Sequence, residues 1–355
     1  MFLLETVSMS QPEKTSASKL SSKQKYDFIW NCVFAFLLIP TTVGIYFLGK
    51  YSIEFRNNLQ DLNPSYNFPK ISDFLMCTPI FIILTGLKLI SETAFRHITP
   101  KIMAKKYKNT TDEKMLIQGE IYRKKLAMHM FKGLFYLTST IFGYYVLGQL
   151  NYFPKSLFGK GKMSNMFLSG YPQSFYFEKP QLFDLYYMIC LTYTLTDLIW
   201  LLFIYERQND FINMLLHHLC TVSLITFSYL TNYSNIGSIV LYLHNASDIF
   251  VHLTRLLIQT DCPEWIKNFS GIFLTCSMLY TRLYVFGEAI ATLYFYATWE
   301  WGFTLDFLFL FLTFLYLMHI NWCLLLLSKF YLIIVGNKLS DTVEFKKTLK
   351  QVKIQ

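Results

Sequence analysis

Residues 207–255 read RQNDFINMLLHHLCTVSLITFSYLTNYSNIGSIVLYLHNASDIFVHLTR. The stretch is apolar and long enough for two membrane-crossing helices joined by the polar turn Thr231–Asn235. Set into it are His217, His218, His244, Asp248 and His252. An ionisable side chain is costly in lipid unless it faces a partner or a wet cavity, so this density in one hairpin marks an intramembrane site. His217 and Thr221 are four residues apart and share a helix face, as do His244 and Asp248, with Asn245 and Ser247 flanking. At the helical rise, His217 lies about 10 Å from its helix start near Asp210, and Asp248 about 18 Å from the opposite end near Ile236. In a hydrocarbon core about 30 Å thick, two antiparallel helices bring these groups to one depth. A histidine pair level with a carboxylate is a candidate catalytic group.

Outward from the hairpin the whole chain reads as membrane protein. Of its 355 residues 53% are hydrophobic and 15% charged, too few charges for a soluble domain of this size. Apolar runs over 27–49, 73–95, 126–150, 182–204, 211–230, 236–258, 270–297 and 303–335 predict an all-α, polytopic transmembrane helix bundle of about eight spans. Residues 1–25 read as a disordered tail without a convincing signal peptide, and 26–95 as two N-terminal transmembrane helices. Residues 96–125 read as a basic loop, 126–335 as the six-span remainder, and 336–355 as a basic tail.

Alternate connecting segments carry roughly three times as many Lys and Arg as the other set, which predicts both termini in the cytosol. The net charge of +9 is therefore a topology signal, and nothing else favours a nucleic-acid partner. That orientation puts Asp210 on the cytosolic side and the histidines in the cytosolic half of the bilayer. A water-soluble anionic donor approaches there while a lipid acceptor enters laterally. The cysteines are scattered with no CxxC pair, and adjacent histidines diverge by about 100° around a helix, so no metal site is predicted. Chelators are expected to leave any activity intact.

The same residues carry a resemblance. Arg207, Asp210, Phe211, His217, His218, Thr221, Ser228, Tyr229, Ile236, Gly237, His244, Ser247 and Asp248 stand at the spacing of the Lag motif of ceramide synthases, within the TLC-domain superfamily. Fainter similarity reaches Tyr171-Pro172, Thr281-Arg282-Leu283 and His319 near Trp322, so the resemblance spans about 120–335 and makes the last six spans a TLC domain. It implies an N-acyltransferase of the endoplasmic reticulum membrane that joins a fatty acyl group from acyl-CoA to the amine of a sphingoid base. Acyl-CoA is then a co-substrate and no cofactor is bound; a homo- or hetero-oligomer is compatible with it.

Aminolysis of a thioester needs a group to take the ammonium proton or to accept the acyl group first, and histidine does either near neutral pH. The resemblance assigns His217 or His218 as base or nucleophile, Asp248 as the carboxylate orienting an imidazole, and His244 as second acid/base. Asn245, Ser247, Thr221, Arg207 and Asp210 are supporting residues. The family has Asp where this chain has Asn245, which cannot carry a charge; Asp197 is a possible substitute. Lys132, Asp197, Arg282 and Glu288 otherwise read as buried pairs or snorkelling groups, and His252 as an interface residue. The alternative function is a noncatalytic TLC-domain protein, lipid-binding or translocon-associated.

Overall fold

The computed structural model describes residues 22–62, 68–102, 113–166, 179–204, 211–296 and 303–334. Among them the chain runs through α1 (Ser22–Leu62), α2 (Cys77–Ile102), α3 (Glu113–Leu147), α4 (Phe183–Phe203), α5 (Phe211–Leu230), α6 (Ser234–Ile258), α7 (Glu264–Tyr296) and α8 (Phe303–Ile334). No strand occurs among the described residues beyond one isolated bridge, Pro154 with Gly161. The protein is an all-α, multi-pass membrane bundle. α1, α2, α4, α5, α7 and α8 each hold a stretch long and apolar enough to cross a membrane. α3 and α6 are diluted with polar and charged side chains, and they pack lengthwise against each other.

Burial separates the helices. The apolar window of α4 is 61% buried, against 11% in α1 and in α2, so α4 is central and the first two helices are peripheral. Phe36, Ile82, Leu89, Ile90, Ile141, Leu310 and Leu324 are exposed, the outward apolar surface that lipid demands. α1 packs on α5 and α8, and α2 on α3 and α4. Lys88, buried within α2, sets its ammonium 3.3 Å from the centroid of the Trp200 ring on α4 and 3.6 Å from Glu92. A cation over an indole face is held by the ring quadrupole, which here offsets burial of the charge.

Two boundaries differ from the expected ones. The basic segment 96–125 is not all loop: α2 continues to Ile102 and α3 begins at Glu113. Its residues are strong helix formers, and Glu120 pairs with Arg123 one turn on at 2.6 Å. α7 starts at Glu264, directly after Pro263, rather than near 270. The connection after α3 buries Phe153, Leu157, Met163 and Met166 in the main core, and Tyr280 Oη ties it to α7 by donating to Ser156 O at 2.7 Å. It closes the end of the bundle formed by Tyr233, Ile236 and Leu305. Both tails, residues 63–67 and 103–112, and Tyr171-Pro172 lie outside the described residues.

Candidate active site

α5 and α6 are joined by a tight turn in which Asn232 takes a left-handed φ of 61°, a conformation asparagine tolerates better than most residues. The turn returns α6 antiparallel beside α5. Close contact is secured at Gly237, where a Cβ would overlap the Tyr187 hydroxyl; that hydroxyl is hydrogen-bonded to Ser228 Oγ at 2.6 Å.

His217 and His218 face different neighbours. His218 Nε2 lies 3.6 Å from Asp197 Oδ2 on α4, and Lys132 of α3 grips the same carboxylate at 2.6 and 2.8 Å. His217 turns towards His244, His319 and Trp322, with ring centroids 6.3, 5.9 and 5.1 Å away. His244 and His319 are closer still, at 4.9 Å. Four histidines from α5, α6 and α8 thus form one buried cluster.

Asp248 is not the partner of a histidine. Its carboxylate accepts from Arg282 Nη2 at 2.6 Å. Arg282 comes from α7, where the backbone widens into a π turn over Leu279–Val285. Such turns cluster at functional sites because the extra residue re-aims a side chain. The guanidinium, 3% exposed, also donates from Nε to Ser247 Oγ at 2.7 Å, from Nη1 to His319 Nε2 at 3.0 Å and from Nη2 to His244 O at 3.2 Å. Arginine only donates, so His319 Nε2 accepts and its proton sits on Nδ1. Likewise His244 Nδ1 lies 2.6 Å from Val240 O, which only accepts, leaving Nε2 of the neutral ring as a bare lone pair. Among the described residues, His217 Nδ1, His218 Nδ1, His244 Nε2 and His319 Nδ1 are buried without a hydrogen-bond partner. A buried unsatisfied polar atom costs about 1–3 kcal/mol until it finds a partner, so these nitrogens are open to a bound group.

A narrow cavity opens beside the cluster. His217, His218, His244, Asp197 and Asp248 line one part of it, and Leu293, Leu305, Leu308, Leu312 and Leu315 another. Tyr233 and Ile236 line it at the α5–α6 turn.

The other expected site residues divide. Thr221 lines the cavity while its Oγ1 donates to His217 O at 2.8 Å, and Ser247 serves Arg282. Asn245 lines the cavity too, but its Nδ2 donates to Ser139 Oγ at 2.8 Å and Cys190 Sγ at 3.4 Å, so it supports the α3–α4 contact rather than an imidazole. His252 pairs with His129 outside the cluster. Arg207 and Asp210 lie outside the described residues. Lys132, Asp197 and Arg282, read as buried pairs, are buried pairs, yet both pairs flank the histidines. The sequence signal for them was a charge inside an apolar run. Among the described residues no group of three or more His, Cys, Asp or Glu is arranged to hold a metal ion.

Comparison with known proteins places residues 125–328 in register with the TLC domain. Ceramide synthase 4 of Bos taurus is 31% identical over 170 residues, 46% of this chain and 42% of that protein. Ceramide synthase 4 of Homo sapiens is 31% identical over 215 residues, 59% of this chain and 50% of that protein. Sphingosine N-acyltransferase lag1 of Schizosaccharomyces pombe is 27% identical over 217 residues, 60% and 49% of the two chains. The matched stretch spans half or less of the length of each of these relatives.

Proposed function

This chain belongs to the TLC-domain family, and from that premise we propose that it is a ceramide synthase-like N-acyltransferase. It moves a fatty acyl group from acyl-CoA to the amine of a sphingoid base, in the endoplasmic reticulum membrane, with both termini cytosolic and all eight long helices spanning. The observation that carries this reading is a histidine cluster set against one leucine-lined cavity: reactive groups beside a space suited to hydrocarbon.

In this reading the thioester carbonyl rests among His217, His218 and His244, and the acyl chain lies along Leu312, Leu308 and Leu305. His218, facing Asp197, takes a proton from the ammonium group so that the free amine attacks, and the carboxylate stabilises the imidazolium that forms. His244 Nε2, with its lone pair directed by the Val240 bond, serves as the second acceptor. Arg282 and Asp248 hold α6 and α7 in register and fix the His319 tautomer.

The test is ceramide formation from dihydrosphingosine and an acyl-CoA panel in microsomes carrying the chain. Ceramide should form with at least one long-chain acyl-CoA and fall at least about a hundredfold in His218→Ala. Asn245→Asp should not raise it, because Asn245 touches no imidazole. Absence of ceramide from well-expressed wild type and Asn245→Asp alike would point to the noncatalytic, lipid-binding reading.

A further inference from the structure

The reaction proposed above leaves a proton to be removed. A sphingoid base arrives as an ammonium ion, R′NH3+, and its nitrogen attacks RC(O)–S–CoA only after giving one proton to a base of the site. The C–N bond forms, the C–S bond breaks, and the departing thiolate takes one of the two protons the nitrogen must lose. The second, held by that base, leaves as H+ beside the amide and CoA-SH. It is released among histidines that are buried, His319 at 0% and His244 at 7% exposure, so it needs a route out.

We propose that His252 and His129 are proton-relay residues that carry this proton from the site to the face of the bundle marked by Lys124 and Arg255; this rests on the acyltransferase reading. His252 stands one helical turn beyond Asp248 on α6, a spacing that puts their Cβ atoms about 5–6 Å apart. Asp248 and Tyr136 line the cavity, and Tyr136 lies flat against the His252 ring, centroids 5.3 Å apart and planes 7° apart. On the other side His252 Nδ1 meets His129 Nδ1 at 3.1 Å. Neither nitrogen can be donor to the other unless the second is bare, so one proton is shared across the contact. A proton taken up at the outer nitrogen of His252 passes the shared one to His129, whose own outer nitrogen releases a proton. Both rings are buried, yet an exposed cation stands close by on each helix: Lys124 before His129, and Arg255 after His252.

A histidine pair that is only structural should tolerate glutamine, which keeps a hydrogen-bonding side chain; a relay should not, because an amide does not exchange a proton near neutral pH.

The experiment uses the full chain in microsomes with palmitoyl-CoA and dihydrosphingosine, comparing wild type, His252→Gln and His129→Gln. A relay predicts that the first turnover survives in both variants while steady turnover falls about a hundredfold. It predicts also that 4-methylimidazole, a diffusible proton carrier, restores turnover, and that the solvent deuterium isotope effect grows. Wild-type turnover in both variants overturns the relay. So does a loss in both that spares neither the first turnover nor responds to 4-methylimidazole, which is the mark of a structural role. If one variant fails to accumulate, the other decides. No amide from wild type with any acyl-CoA overturns the acyltransferase reading itself, a result distinct from either.

Discussion

Arg282 is the residue on which most of the site's geometry converges. Its three nitrogens reach Ser247, His319, the His244 carbonyl and Asp248, joining α6, α7 and α8 at one point. Removing one partner of a buried ion pair leaves the other charge uncompensated, at a cost of about 3–5 kcal/mol, whereas replacing both by apolar groups is often near neutral. Arg282→Met should therefore lower the melting temperature of the detergent-solubilised protein sharply. Arg282→Met with Asp248→Leu should recover most of that stability without recovering ceramide synthesis, because His319 and the His244 backbone lose their donor in both. The histidines and Asp248 were legible in the sequence because helical spacing within one hairpin sets which residues share a face and a depth. The partner of Asp248 was not. It arrives from a helix 34 residues downstream, rotated by a π turn that no local propensity announces. For the same reason Asp197, not Asp248, turned out to face a histidine.

At the scale of elements, apolar runs located the long helices among the described residues, and six of these are long and apolar enough to cross a membrane. Their ends were less legible. α3 extends into a charged run because alternating acids and bases favour helix without lengthening the apolar stretch. The α5–α6 contact depends on Gly237, whose absent side chain leaves room for the Tyr187–Ser228 hydrogen bond against the backbone. Gly237→Leu should separate α6 from α4 and α5 at the cavity wall. The expected outcome is lost ceramide synthesis with a protein that is more readily proteolysed, and Tyr187→Phe, which removes only the hydroxyl, should partly restore both in the double variant.

For the whole molecule, the excess of Lys and Arg on one set of connections makes a topological prediction. Tags at either terminus should be digested by protease added to sealed microsomes, and the Asn232-Tyr233-Ser234 sequon should face the lumen. Protection of either tag would overturn the orientation, and with it the approach of acyl-CoA from the cytosol. The family match begins at residue 125, yet the buried ammonium of Lys88 lies over Trp200, one turn from Asp197 on the same helix. Cut at the edge of its homology, the chain would turn the indole and the Lys132–Asp197 pair outward to lipid. The stretch matched by the family domain is thus shorter than the smallest piece that could hold its charges, and α2, which precedes that stretch, insulates the chemistry within it.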